Sequence, residues 1–376
     1  MKVLFVLENY FPFIGGAEVL FKNLCEGLVA KGYEVTVITS SLPQAPYNEM
    51  VNGVQVLRVQ TPRKGSRYWF TFMAIPQALK RVKKFDIVQT TTYNGAFPAW
   101  LAAGLAGKKC IITVHEIIGS GWKDMQGMNT LTAWLHRFLE WVIVALPFNR
   151  YMTVSQYTAK QLEKYHISPK KISTSYNGID YDFFNIAKAD RPAIREMLGL
   201  KDNFVYMYFG RPGISKGVEY LVAAVPLISR EIPDARLLLL MGKEPAEGFK
   251  KILALVKEMQ IEARVLVHDP VPRIELPGYV AAADCVVVPS ITEGFGFTAA
   301  EACAMDRPVV VSNVGSLPEI VSGTYVMVGP RDAAAIADGV IRIHRGEAIT
   351  SEKKHFYWAS CIDNYDKIYR QETGNS

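Results

Sequence analysis

The chain predicts an α/β protein of two Rossmann-like domains, each a doubly wound parallel sheet, facing a cleft. Three observations predict it. Short β-branched runs alternate with helically periodic segments from the first residue. The alternation lapses once, in a polar mixed stretch over residues 185–203, and then starts over. The length of 376 residues also exceeds what a single hydrophobic core usually serves. With 49% hydrophobic and 21% charged residues, the balance is that of a globular chain rather than a disordered one.

Lys2–Leu7 reads as the first strand, because Glu8 interrupts the apolar run too soon for a secretory signal. After the loop Asn9–Gly16, Leu20, Leu24 and Leu28 recur at helical spacing, Gly32 stops the helix, and Glu34–Thr39 forms a second strand. This βαβ start continues through strands at Val54–Val59, Ile87–Thr90, Cys110–Val114, Tyr151–Val154 and Ile172–Ser175, with intervals long enough for crossover helices. Past the lapse the strands are Phe204–Phe209, Leu237–Leu240, Val265–Val267, Cys285–Val288, Pro308–Val311 and Tyr325–Val328. From Glu352 to about Gln371, Phe356, Trp358, Ile362, Tyr365 and Ile368 mark a closing amphipathic helix. The expected division is therefore 1–182 with the closing helix 355–376, against 183–354.

Composition narrows the function classes. The five cysteines (Cys25, Cys110, Cys285, Cys303, Cys361) are scattered without a Cys-x-x-Cys pair, so they read as buried thiols in a reducing compartment, with no structural metal. No apolar stretch approaches the roughly 20 residues of a spanning helix. Residues 63–84 hold Arg63, Lys64, Arg67, Lys80, Arg81, Lys83 and Lys84 and no acid, which exceeds the whole net charge of +6. Interleaved with Trp69, Phe70, Phe72 and Met73, this local patch suits an anionic membrane surface, and no nucleic-acid motif accompanies it. A cytoplasmic protein with a peripheral contact at the inner face of the membrane is expected. Trp134, Phe138 and Trp141 recur at i, i+4 and i+7 and read as a stripe that packs into the core.

The chemistry concentrates after two strands of the second series. Glu293-Gly-Phe-Gly-Phe-Thr-Ala-Ala-Glu301 brackets a turn and the start of an apolar helix, beyond the buried run Cys285–Val288. Amides at Gly296, Phe297 and Thr298 then face a crevice where an anion can sit, and the two carboxylates reach hydroxyls on either side of it. Sugar, diphosphate and ribose fit that order. Gly210-Arg211-Pro212-Gly213-Ile214-Ser215-Lys216-Gly217 follows the first strand of that series; Arg211 offers a planar fork and Lys216 a point charge to a diphosphate. No Lys-Ser/Thr pair closes it as a P-loop.

In the first half, Gly15-Gly16-Ala17-Glu18 ends a loop too long and aromatic for the Gly-x-Gly-x-x-Gly fingerprint, which weakens a dehydrogenase reading. Gly15 and Gly16 permit close backbone approach to a donor. Glu18, Tyr93 and His115 are acceptor-side candidates; His115 ends a strand, as a hydrogen-bond partner or a proton acceptor. Asp180-Tyr181-Asp182 has the spacing of an Asp-x-Asp metal site but no third ligand nearby, and reads as a turn.

Taken in order, these segments resemble the retaining glycosyltransferases of family four, which have the two-domain GT-B architecture. The likeness adds Thr113-Val114-His115, Val154-Ser155, Asn177-Gly178-Ile179-Asp180, Pro289-Ser290, Pro308-Val309-Val310, Gly315 and Pro318-Glu319 to those above, with Tyr365 and Tyr369 in a tail helix that crosses back to the first domain. It implies a nucleoside-diphosphate sugar, a UDP-sugar or a GDP-sugar, as donor. Glu301 would hold ribose hydroxyls, Glu293 the sugar, and Arg211 with Lys216 the diphosphate, so that no metal and no cofactor is required. His115 would position sugar or acceptor, and a hexose would pass to a glycan, lipid-linked or small-molecule hydroxyl. Met305-Asp306-Arg307 stands where the family usually has a glycine, and Asp269 where the base-binding loop often has one. Two alternatives stay open: a GT-B sugar-nucleotide epimerase, and a non-catalytic module that binds a sugar nucleotide or a membrane surface.

Overall fold

A computed structural model describes residues 1–13, 15–43, 45–62, 65–124, 129–200 and 202–374, without the side chains of Arg67 and Asp124. Arg63 and Lys64 of the basic segment lie outside the described residues. The chain forms two compact units, Met1–Gly178 with Phe356–Ser376, and Ile179–His355. The first boundary falls four residues before the expected one. The reason is local: Asp180 accepts from the amides of Asp182 (3.1 Å) and Phe183 (3.0 Å), tying the Asp-x-Asp segment into a turn of the second unit.

The first unit runs β1 (Lys2–Val6), α1 (Gly16–Ala30), β2 (Glu34–Ser40), β3 (Asn48–Val51), β4 (Val54–Val59), α2 (Ser66–Arg81), β5 (Ile87–Thr91), α3 (Ala96–Leu105), β6 (Lys109–Val114), α4 (Thr130–Ala145), β7 (Arg150–Thr153), α5 (Gln156–Lys164) and β8 (Ile172–Thr174). Its sheet has the order β3-β4-β2-β1-β5-β6-β7-β8. Every pairing is parallel except β3 with β4. That edge hairpin was absent from the expected strands. It closes through Asn52 (φ 48°) and Gly53 (φ 81°), both left-handed, in the two-residue turn that matches strand twist.

The second unit runs α6 (Arg191–Met197), β9 (Val205–Gly210), α7 (Val218–Glu231), β10 (Arg236–Met241), α8 (Ala246–Glu258), β11 (Val265–His268), α9 (Leu276–Ala282), β12 (Cys285–Val288), α10 (Phe297–Ala304), β13 (Val309–Ser312), α11 (Leu317–Ile320), β14 (Thr324–Val328), α12 (Ala333–Arg345) and β15 (Ile349–Thr350). The order is β11-β10-β9-β12-β13-β14-β15, parallel except for the short antiparallel edge strand β15. The central strands are buried on both faces, as β12 shows with all four residues sealed, because helices cover both sides of a parallel sheet. Asp306, at the place the family usually gives to glycine, has φ 54° and pairs with Lys353. A short polar side chain tolerates that left-handed geometry.

Helix α13 (Trp358–Thr373) returns to the first unit. Its buried tyrosines reach two central strands: Tyr369 donates to Gln89 Oε1 at 3.0 Å, and Tyr365 bonds Thr113 Oγ1 at 2.9 Å. Gln89 in turn donates to Thr113 Oγ1 at 2.9 Å, so the network closes inside the core.

The aromatic stripe of α4 does not pack into the core. Trp134, Phe138 and Trp141 are 57%, 43% and 54% exposed. The helix buries Ala133, Glu140 and Val144 instead, a narrow seam about a quarter turn away from the stripe. Its period carried two candidate faces, and only one can meet the sheet. Glu140 explains the choice: its carboxylate accepts from the amides of Ile118 and Gly119, from Trp122 Nε1 and from the Tyr165 hydroxyl, at 2.8–3.1 Å.

Replacing Tyr369 with Phe leaves Gln89 Oε1 without its donor in a sealed site, so Tyr369→Phe is expected to lower stability by about 1–3 kcal/mol. Urea unfolding followed by circular dichroism checks this; an unchanged midpoint would remove the network from the account of the core.

Candidate active site

In both sheets the direction of winding reverses once. In the second unit the chain passes from β9 outward to β10 and β11, then returns to β12 on the other side of β9, so the loops after β9 and β12 flank a topological switch point. Ligands of open α/β sheets bind there. The first loop carries Arg211 and Lys216, the second Glu293.

These two loops are fastened to each other. The amide of Ile291 donates to the Ser215 carbonyl at 2.7 Å. Gly217 has φ 64°, and a Cβ there would come within 2.1 Å of the Pro289 carbonyl oxygen, so only glycine allows the approach. The result is a direct contact: Lys216 Nζ lies 2.7 Å from Glu293 Oε2, which also accepts from Ser290 Oγ at 3.2 Å. The Glu293 carbonyl accepts from the Ser316 amide at 3.1 Å, which holds its backbone from the β13 side.

Arg211 is exposed, and its carbonyl accepts from the buried Tyr208 hydroxyl at 2.8 Å. Burial keeps that phenol protonated far above its usual range, with the nearby Glu293 charge adding to the effect. Tyr208, Ser290 and Ser316 were not among the residues expected from sequence. Tyr208 reads as one more apolar residue of a strand, and two serines in loops carry no signal of their own.

Helix α10 opens beyond Gly296, whose φ of 92° turns the chain into it. Its first bond back to the cap runs from Ala300 N to the Gly296 carbonyl (3.1 Å), so amides of its opening turn, at Phe297 and Thr298, point out of the helix end. Thr298 Oγ1 lies 3.5 Å from the Phe209 carbonyl, at the tip of β9. A cation, a carboxylate and a helix N-terminus thus meet at the carboxyl edge of one sheet, with Arg211 in the same loop as the cation.

Glu301 sits one turn inside α10 and is 6% exposed. Its partner is Arg273, 3.5 Å from Oε1, whose guanidinium also lies 5.5 Å from the rings of Phe183 and Phe184. Burial raises the Glu301 carboxyl from 4.5 to about 7, and Arg273 only partly offsets this. Arg273 was not singled out from sequence. Asp269 is paired with Lys243 at 2.9 Å.

The first unit has its own switch point, between β1 and β5. The loop after β1 places Glu8 against Asn94 (Nδ2 to Oε2, 2.5 Å) in the loop after β5. Tyr93 beside it holds φ 81°, a strained conformation for a bulky residue. Gly15 caps α1 with extended backbone, Gly16 begins the helix, and Glu18 lies in its first turn, where a negative charge is favourable. His115 follows β6, its ring edge-on to Phe21 at 5.7 Å, with a sealed Nε2 that has no hydrogen-bond partner among the described residues. Burial lowers its pKa to about 4, so it is neutral near pH 7 and suited to hydrogen bonding rather than to accepting a proton. Among the described residues no group of three or more His, Cys, Asp or Glu side chains is arranged to hold a metal ion.

With this geometry in place, similarity to known proteins becomes informative. The sequence profile of Glycosyltransferase Family 4 matches residues 14–183, and that of Glycosyl transferases group 1 matches residues 203–345. An uncharacterized glycosyltransferase of Methanocaldococcus jannaschii is 28% identical, over 98% of this chain and 96% of its own length. The sucrose-phosphate synthase of Thermosynechococcus elongatus superposes with a TM-score of 0.82 at 24% identity, covering 100% of both chains. HepE of Anabaena, solved in complex with UDP-glucose, superposes with a TM-score of 0.74 at 18% identity, over 99% of this chain and 95% of that one.

The raised Glu301 carboxyl has a consequence for stability. Its folded pKa exceeds the unfolded value, so its contribution is fully present below pH 4.5 and is lost as pH rises through about 7. The loss is on the order of 3 kcal/mol. Between pH 5 and pH 8 the wild type should therefore lose more stability than Glu301→Gln, as measured by urea midpoints; parallel profiles would refute the shift.

Proposed function

Because the chain belongs to the family 4 glycosyltransferases and has the GT-B fold, we propose that it is a retaining hexosyltransferase that takes its sugar from a nucleoside-diphosphate donor. The observation that carries this reading is the Lys216–Glu293 contact at the second unit's switch point, beside the open end of α10. A cation paired with a carboxylate suits a ligand that is anionic on one side and hydroxylated on the other. The UDP-glucose bound by HepE supports the same donor class.

In this mechanism Arg211, Lys216 and the opening amides of α10 bind the diphosphate and stabilise the charge that grows on it as the bond between the sugar's anomeric carbon and the phosphate oxygen breaks. The positive charge a divalent ion would supply comes from the chain itself. Glu293 accepts from sugar hydroxyls, and Glu301 from ribose hydroxyls. The sugar passes through oxocarbenium character. An acceptor hydroxyl attacks from the face the diphosphate leaves, a new carbon–oxygen bond forms with retention, and the hydroxyl proton goes to a departing phosphate oxygen. His115, neutral near pH 7, would serve as a hydrogen-bonding group on the acceptor side, within the first unit.

A panel of UDP- and GDP-sugars tests the proposal, with chelator present and with nucleoside diphosphate release as the readout. Slow release to water is expected for one donor, undiminished by the chelator. Lys216→Ala and Glu293→Ala should each lower it by about two powers of ten or more while staying folded. A sugar altered with its nucleotide still attached would make the protein an epimerase, and binding without turnover a binding module.

A further inference from the structure

The first unit exposes apolar surface that the proposed chemistry does not use. Helix α4 presents six large apolar side chains to solvent, among them Leu131 (75%), Trp134 and Trp141, and α2 presents five, among them Trp69 (49%) and Phe72 (62%). Both helices pack on the same face of the sheet, through Phe70, Ala74 and Ala78 of one and Val144 of the other. Their outer sides therefore belong to one helix layer. On α4 the rings of Trp134, Phe138 and Trp141 stack into a continuous apolar stripe, and Trp side chains in such a place are typical of a membrane interface.

On these helices the exposed charges have one sign. Helix α2 contains no acidic residue, nor does α3 between them, and the single acid of α4, Glu140, is buried and fully engaged by four donors. The exposed charges are cations: Lys80, Lys83 and Lys84 at the end of α2, and Arg137 on α4. A groove of about 600 Å³ runs beside Trp134, Phe138 and Trp141; its charged lining residues are Arg137 and Lys164, and its other titratable ones are Tyr165 and His166. A second copy of this chain would set like charge against like across such a face. An anionic lipid surface complements it.

We propose that the outer side of this helix layer docks on an anionic lipid bilayer, with Trp134, Phe138 and Trp141 of α4 and Trp69 and Phe72 of α2 entering the interfacial zone. The basic residues of 80–84 with Arg137 then meet the lipid headgroups. This widens the membrane contact expected from residues 63–84 to a helix whose aromatic stripe reads, in sequence, as core. It does not depend on the donor chemistry.

Flotation of the full-length chain with vesicles of phosphatidylcholine, with and without phosphatidylglycerol, tests it. The wild type should float with the phosphatidylglycerol vesicles, lose that association at high salt, and show tryptophan emission at shorter wavelength when bound. Trp134→Ser with Trp141→Ser, and separately Lys80→Glu with Lys83→Glu, should each reduce partitioning by about tenfold or more. Unchanged melting and unchanged donor hydrolysis in solution would show that these variants remain intact. Absence of flotation, partitioning unaffected by the double tryptophan substitution, or a wild-type dimer that this substitution dissolves would each overturn the proposal.

Discussion

The constraint on which the rest depends is the parallel sheet. Strands that run the same way need crossover connections, and every crossover begins at the same edge. In the second unit this brings the loops after β9 and β12 side by side, although Lys216 and Glu293 are 77 residues apart in the chain. Helices on both faces then bury the central strands completely, which is why runs such as Cys285–Val288 are apolar without alternation. Site and core therefore follow from one decision about strand direction. The glycines follow from it too: two neighbouring loops at a crowded edge must touch, and Gly217 sits where one would collide with the carbonyl of Pro289.

The same logic explains which parts of the fold were legible. Central strands were readable because burial on both faces makes them continuous β-branched runs, and the predicted limits differ from the observed ones by a residue or so. The two antiparallel edge strands, β3 and β15, were not. Val51 and Val54 flank Asn52-Gly53, a turn signal that pointed to a hairpin, but Asn48–Val51 is too polar to stand out as a strand and only its pairing with β4 defines it. Ile349–Thr350 is shorter still. Helix α4 failed for a different reason. Periodicity finds an apolar stripe, yet it cannot tell which stripe meets the sheet when the true inward seam contains a buried glutamate.

Within the site, residues with charge or unusual backbone were visible and their supports were not. Arg211, Lys216, Glu293 and Glu301 announce themselves among glycines and apolar residues. Tyr208, Ser290, Ser316 and Arg273 act by contact with those residues, and contact is a property of the fold. Arg273 illustrates the difference. It lies in a loop after β11 with no motif around it, and it acquires meaning only because Glu301 and the rings of Phe183 and Phe184 converge on it.

Charge in the second unit is also arranged with its compensation built in. Lys216 is held by Glu293, and Glu301 by a distant, half-exposed Arg273, so neither carboxylate faces an apolar wall alone. A fully desolvated lysine or glutamate would surrender its charge, as the rise of Glu301 toward 7 already indicates. Pairing at 2.7 Å holds Lys216 in one orientation, so that in the proposed chemistry little reorganisation would be left for the moment when negative charge develops beside it. A partly exposed ion pair of this kind contributes little to stability by itself. Preorganised charge at a rigid sheet edge is the physical basis of the proposed chemistry, which would then lie in the loops rather than in the core.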